Sequence, residues 1–356
     1  MIETQARRYL SNKRCASPSE VLHALAEAAG DAAFDHYGAG ALVDELERTT
    51  AALLGKDAAV FCTSGRAAQL SALRVHADRR ARSVVAAHPR SHIVEDEDDA
   101  IGTLYGLRVA RVGTPAAPFT LEELRAVHEP LAAVVVELPL RRAGFRVPAW
   151  DELIALGEHA RGTGAAFHLD GARLWETAPA YGKKPAEIAA LADTVYVSFY
   201  KGLGGLAGAA LAGDAETIAA ARTWIGRAGA IVYRMVPYAL AAREGLRTEL
   251  PRMPEYHARA VAIAEAVRTI PGVAVSTDPP ACNAFAVYLD GARDALLAAR
   301  DAVTERDGLI VFENLAPTPH PRIWSFELAV GPNTMELEVG EICNAIAALA
   351  ARATSR

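Results

Sequence analysis

The sequence predicts an α/β protein with a large domain built on a mainly parallel sheet, followed by a smaller C-terminal α+β domain. Two observations predict it. From about Lys56 to Ala210, short apolar β-rich runs end at polar or glycine clusters and hand over to amphipathic helical stretches. Past Pro251 and Pro254 that rhythm gives way to one long helical stretch and a few isolated strands. A chain of 356 residues can hold two cores of ordinary size, roughly 100–200 residues each. The boundary is expected near 250, giving domains 1–250 and 251–356.

In chain order, strands are expected at Ala58–Phe61, Ser83–Ala87, Arg108–Val112, Ala132–Val136, Ala165–Leu169 and Thr194–Phe199. Their unbroken apolar character suits strands covered on both faces. Helices are expected between them at Arg66–His76, Leu121–Val127, Ala149–Arg161 and Pro185–Leu191. The third opens with Asp151 and Glu152, and acidic side chains favour a helix N-terminus. Two Ala-rich helices follow around Ala215–Trp224 and Arg234–Leu246, then a long one from about Pro254 to Thr269. Strands near Val273–Ser276, Ala284–Leu289 and Trp324–Ala329 complete the smaller domain.

Composition narrows the function. A net charge of -6, with 51% hydrophobic and 22% charged residues, creates no field to attract nucleic acid or an anionic membrane. The expected partner is a small molecule. No basic region followed by an apolar core opens the chain, and no stretch of about 18 apolar residues occurs in it, so a cytoplasmic location is expected. Cys15, Cys62, Cys282 and Cys343 lie far apart, which suits reduced thiols and neither a zinc site nor a redox pair.

The segment Phe167-His168-Leu169-Asp170-Gly171-Ala172-Arg173 runs a buried-type strand into an acid and a glycine. In open α/β sheets ligands bind just beyond such strand ends. An aspartate there can keep a pyridinium nitrogen protonated, or it can simply cap the next helix. Further on, Val195–Tyr200 ends in Lys201-Gly202-Leu203-Gly204-Gly205. A lysine at a strand end can be held against a flat ring, and glycines allow close backbone approach and positive φ. Partial desolvation and nearby positive charge would lower its pKa and favour the neutral amine. Gly202, Gly204 and Ala207 also fit a relaxed dinucleotide fingerprint, but no acidic residue lies about 20 positions beyond to hold a ribose.

Upstream, Thr63-Ser64-Gly65-Arg66 sits at a strand-to-helix junction, where exposed N–H groups can cradle phosphate or Ser64 can serve as a plain N-cap. His88 and His92 stand beside carboxylates, but Pro89 breaks the helix that would align them on a metal, and no metal is expected. An aromatic ring stacked on a planar cofactor is the other use of such a histidine.

Taken together these segments resemble the threonine aldolase branch of the β-eliminating lyases, which are fold-type-I pyridoxal-5′-phosphate enzymes. The likeness runs through most of the chain and is best at His168–Arg173 and Tyr200–Gly204. It implies that Lys201 is the Schiff-base lysine, Asp170 the partner of the pyridine nitrogen, and Arg173 a ligand of the cofactor's 3′-oxygen or of the substrate carboxylate. His92 resembles the ring-stacking histidine, with Glu97 its acidic companion. Ser64 and Gly65 match the phosphate-binding pair, while Arg66 stands where the family has a small hydroxyl residue. Arg234 resembles the arginine that reaches a neighbouring subunit's phosphate, and Arg322 the arginine that takes the substrate carboxylate. Ser11-Asn12 stands where the family has Ser-Asp, and Tyr37-Gly38 matches a Tyr-Gly that contributes across a subunit interface. A homodimer or homotetramer with shared active sites is thereby implied.

The main departure is Glu137-Leu138-Pro139-Leu140-Arg141-Arg142-Ala143-Gly144, where Leu140 replaces a histidine expected to contact the substrate's β-hydroxyl. The reaction implied is retro-aldol cleavage of a β-hydroxy-α-amino acid to glycine and an aldehyde. β-Elimination, racemisation and transamination of a small amino acid would use the same lysine and aspartate, and leucine at 140 implies weak cleavage of L-threonine itself.

Overall fold

A computed structural model describes residues 8–11 and 17–354. The chain divides into two compact units, one drawn from Ala16–Pro251 and the other from Arg252–Arg356 together with the N-terminal segment.

The larger unit contains the helices α1 (Pro18–Ala29), α2 (Ala41–Leu54) and α3 (Gly65–Arg80) and a seven-stranded sheet. Its strands are β1 (Ala58–Cys62), β2 (Val84–Ala87), β3 (Arg108–Arg111), β4 (Leu131–Glu137), β5 (Ala166–Gly171), β6 (Thr194–Ser198) and β7 (Ala209–Gly213), in the order β1-β7-β6-β5-β4-β2-β3. All pairings are parallel except those of β7, which runs antiparallel to both β1 and β6. β7 is the strand the sequence leaves out. Its Ala-Ala-Leu-Ala-Gly carries no β-branched residue, and only two flanking ladders make it a strand. Because β1, β2, β4, β5 and β6 share one direction, their carboxyl ends lie along one edge of the sheet, where an open α/β fold places its ligand.

The core needs little explanation from propensity. β5, β6 and β7 are buried at every residue, and Phe61, Phe167, Trp175 and Phe199 are covered almost completely, each contributing roughly 1.5–3 kcal/mol of burial. Helix α3 packs on the central strands and is tied to them by a polar link as well. His76 Nε2 and His168 Nδ1 each lie 2.8 Å from Thr194 Oγ1, so one imidazole donates to the hydroxyl and the other accepts from it.

The smaller unit is a four-stranded antiparallel sheet of β8 (Val273–Val275), β9 (Ala284–Asp290), β10 (Ala316–Pro317) and β11 (Ile323–Ala329), in the order β10-β11-β9-β8, with helices at Met253–Val267, Arg293–Asp307 and Val339–Thr354. The N-terminal residues, which the sequence groups with the large domain, pair here instead. Arg8 and Tyr9 run parallel to Leu309 and Ile310, Leu10 is fully buried, and Arg8 reaches Glu341 at 2.6 Å. So short a strand has no periodicity to read, and its place follows from the backbone partners it finds. Asn12 and Cys15 lie outside the described residues.

Burial pushes His76 and His168 down to about 3, with Arg80 and Arg79 adding to it at His76, whereas an unfolded histidine titrates near 6.5. Between those values the unfolded chain binds protons that the native fold does not. Stability therefore falls as pH drops from about 6.5 toward 3, by about 1.4 kcal/mol per pH unit for each histidine. Urea unfolding at pH 7, 6 and 5 should record this decline, and His76→Gln should make it shallower. An unchanged slope in that variant would exclude the histidine as its source.

Candidate active site

The carboxyl edge of the sheet gathers the candidate residues in register. Glu137 pairs with Asp170 across β4 and β5, and Asp170 with Tyr196 across β5 and β6. Asp170 is 2% exposed, and its Oδ1 accepts from Ala172 N–H at 3.2 Å. Its other oxygen takes no hydrogen bond among the described residues, which leaves a carboxylate free to hold a ring N–H.

Lys201 lies three residues beyond the end of β6, where the ladder no longer fixes it. Three hydrogen bonds do so instead. Ser198 Oγ donates to Ala172 O at 2.7 Å, Trp175 Nε1 to Ser198 O at 3.2 Å, and Gly202 N–H to Glu176 Oε1 at 2.7 Å. Helix α4 (Leu174–Tyr181) supplies Trp175 and Glu176, both buried. A Cβ at 202 would overlap Glu176 Oε1, so glycine there is a matter of space, and Gly204 closes the turn at φ 65° with its N–H on Lys201 O at 2.9 Å. Burial, and then the Arg173 guanidinium, push the Lys201 amine down to about 8, against the pull of Asp170, Glu176 and Glu137. An amine so placed is partly neutral near physiological pH, as a nucleophilic lysine must be.

Helix α3 begins beside this pair. Ser64 caps it by accepting from Ala67 N–H at 3.3 Å, and the N–H groups of Gly65 and Arg66 meet no acceptor among the described residues. Such N–H groups at a helix start suit a phosphate. A Cβ at 65 would overlap the hydroxyl of Tyr196 and approach its Cε2 to 2.8 Å, so the buried tyrosine dictates the glycine. Arg66 turns away from this cradle: its Nη2 donates to Asp96 O at 2.8 Å, and its Nε lies 4.0 Å from Glu97 Oε2.

His92 opens the short helix His92–Glu95. Its Nδ1 lies 2.9 Å from Glu97 Oε1, which also accepts from Gln69 Nε2 at 2.8 Å, while the backbone N–H of His92 donates to Glu137 Oε2 at 2.8 Å. The Glu97 hydrogen bond raises the imidazole's pKa against burial, with Asp170 adding to it and Lys201 opposing. His92, Asp170 and Lys201 thus feel one another electrostatically. His88 stands apart: its Nε2 sits 2.7 Å from Thr114 O and 2.9 Å from Ala117 O, a structural role.

The remaining candidates are dispersed. Arg173 lies over the Phe145 ring at 5.3 Å and within electrostatic reach of Lys201. Arg234 donates to Asp35 O and stacks on Tyr233 at 4.2 Å, beside Tyr37, which is 57% exposed and meets His36 and Tyr233 edge to face. Leu140 is 2% exposed and lines a small half-open pocket of about 10 Å³ with His88, Phe119, Val136, Glu137 and Leu156, room for about one water. Ser11 and Arg322 belong to the smaller unit, where Ser11 Oγ accepts from Ala329 N–H at 3.0 Å and Arg322 Nε donates to Asp290 at 3.1 Å.

Sequence reading missed Glu176, Tyr196 and Gln69, and gave Glu137 no role of its own. The signal for Glu176 was there: a single carboxylate in the otherwise apolar helix start Leu174-Trp175-Glu176. Burial, reinforced by Asp170, raises the pKa of Glu137, which also accepts from Arg141 N–H at 3.2 Å. Burial likewise raises that of Glu176.

A profile of the family described as beta-eliminating lyase matches residues 16–292. A putative L-allo-threonine aldolase from Listeria monocytogenes EGD-E is 33% identical and superposes with a TM-score of 0.92, covering 98% of this chain and 97% of that one. A putative aromatic amino acid β-eliminating lyase/threonine aldolase from Exiguobacterium sp. 255-15 is 35% identical, also at a TM-score of 0.92, with 98% of each chain covered. Low-specificity L-threonine aldolase 1 of Arabidopsis thaliana is 27% identical over 280 residues, which is 76% of this chain and 78% of the relative.

Gly65→Ala should cost about 1–3 kcal/mol, because Tyr196 is buried on all sides and cannot yield to the added methyl. The urea midpoint reads this directly. A variant as stable as the parent would show that the α3 start adapts and that the glycine is not needed for packing.

Proposed function

This chain belongs to the β-eliminating lyase family, and on that footing we propose that it binds pyridoxal 5′-phosphate and cleaves a β-hydroxy-α-amino acid to glycine and an aldehyde. It is a lyase of the threonine aldolase type, from a family and fold that depend on this cofactor. The observation that carries the reading is the buried Lys201 amine just beyond a strand end, pushed down to about 8 and within electrostatic reach of Asp170, Arg173 and His92.

When bound, the cofactor supplies an electron sink for the pair released as a bond to the substrate's Cα breaks. The residues present fit it. Gly65 and Arg66 offer N–H groups to its phosphate, with Ser64 at the helix cap. The free oxygen of Asp170 would keep a proton on the pyridine nitrogen, and His92, braced by Glu97 and Glu137, would cover one face of the ring. Lys201 would hold the cofactor covalently and afterwards move a proton at the substrate's Cα. Arg173 would take the 3′-oxygen or the substrate carboxylate.

Leu140 favours a second reading. It offers no imidazole to a β-hydroxyl, which leaves β-elimination, racemisation or transamination of a small amino acid open to the same lysine and aspartate. Assaying glycine plus aldehyde against ammonia plus α-keto acid, and against the D-amino acid, separates the two.

The reading includes a homodimer or homotetramer. Phe34, Tyr37 and Tyr233 are 70%, 57% and 50% exposed in one aromatic group with Arg234, an apolar face that suits a second copy. It includes a cytoplasmic location too, which the free thiols Cys62, Cys282 and Cys343 suit. Among the described residues no helix is long and apolar enough to cross a membrane.

Borohydride treatment of the holoenzyme followed by peptide mapping should place the cofactor on Lys201, and Lys201→Ala should remove the label while leaving the fold intact. Label on Lys56, Lys183 or Lys184 would refute the assignment. Asp170→Asn should retain cofactor but lose roughly a hundredfold or more in kcat, since the amide cannot keep the ring nitrogen protonated. Near-normal turnover in that variant would discard the role.

A further inference from the structure

We infer that Glu176 is the positioning residue of the lysine turn: its carboxylate fastens the residue behind Lys201 and lends the amine a fixed counter-charge. The inference rests on Lys201 being the cofactor lysine, and goes beyond it in assigning what holds that lysine.

The geometry is specific. Gly202 N–H donates to Glu176 Oε1 at 2.7 Å, and the Glu176 side chain fills the volume a Cβ at 202 would need. Trp175, the preceding residue, bonds to Ser198 O, so the same helical turn grips both ends of the segment 198–202. Glu176 is 1% exposed, yet its Oε2 takes no hydrogen bond among the described residues. A buried carboxylate with so few hydrogen bonds keeps its charge only where opposite charge lies nearby, and otherwise takes up a proton. Two groups provide it: Arg173, one helical turn back, and Lys201. A residue that only braced the turn could be an amide and lose nothing.

The amine in turn is faced by Arg173, which disfavours its proton, and by Asp170, Glu176 and Glu137, which favour it. Glu176 is the one of these three acids that also bonds the lysine's own turn.

The test separates charge from bracing. Glu176→Gln keeps an oxygen acceptor for Gly202 N–H and removes only the charge; Glu176→Met, of similar length, removes both; Glu176→Asp keeps the charge. In the full-length chain freed of cofactor, competitive acetylation across pH 6–10, read at Lys201 by peptide mass spectrometry, reports the amine's titration midpoint without any turnover. Loss of Glu176's charge should lower that midpoint by about one unit in both uncharged variants, while the aspartate variant stays near the parent. A midpoint in Glu176→Gln within about 0.2 unit of the parent overturns the inference and leaves bracing alone. If Glu176→Gln does not fold, Glu176→Met decides by the same criterion. Should borohydride mapping place the cofactor on another lysine, the functional reading fails, while the acetylation result still stands or falls by itself.

Discussion

Three hydrogen bonds between residues 172–176 and 198–202 decide where Lys201 stands relative to Asp170. The β5–β6 ladder fixes Asp170 against Tyr196, but it stops at Gly171 paired with Val197, short of the lysine. Beyond that point a glycine-rich loop would leave a long side chain free to explore. Each bond is worth about 0.5–1.5 kcal/mol in stability, and their larger effect is geometric, because catalysis by positioned groups tolerates little displacement. The clamp works through residues of opposite kinds. Trp175 holds the carbonyl of Ser198, Ser198 ties its hydroxyl to Ala172, and Glu176 takes the N–H of Gly202.

The charges around the clamp are held out of water, which costs several kcal/mol per ion unless opposite charges repay it. Glu137 and Asp170 carry the same sign on adjacent strands. The pair is tolerable because Glu137 accepts two backbone N–H groups, those of His92 and Arg141, and because its pKa is raised so that a proton can reside there. Lys201 and Arg173 then balance Asp170 and Glu176. The result is an amine pushed well below the ordinary lysine range by burial and then by Arg173, with Asp170, Glu176 and Glu137 pulling the other way. His92 is coupled to the same balance from the other side, since Glu137 fixes its backbone and Glu97 its ring.

Helix starts complete the arrangement. α3 opens where β1 ends, and Tyr196 reaches across from β6 to touch its first residue, so the N-terminal end of the helix is placed by the strand that precedes the lysine. The aspartate, the lysine and the start of α3 thus depend on neighbouring strands of one sheet and on the single direction that those strands share.

The amino-acid sequence by itself determined the parallel framework and its chemistry-bearing ends. β-Branched apolar runs such as Val134-Val135-Val136, between helical stretches, suit buried parallel strands, and the residues that follow parallel strands stand at the ligand edge. That Asp170 and Lys201 stand at or just beyond strand ends was legible for that reason. Tertiary structure alone decided the rest. Ala209–Gly213 became a strand because two ladders flank it. Arg8 and Tyr9 joined the smaller unit because Leu309 and Ile310 offered backbone partners. Arg66 went to Asp96 and Glu97 instead of staying at the helix start, and Leu140 turned inward to a small apolar pocket. Local pattern reports which residues seek burial and which way a chain segment runs. Which buried carboxylate meets which N–H or cation is a long-range matter, as with Glu176 and Gly202, and becomes definite only when distant segments are brought within hydrogen-bond reach.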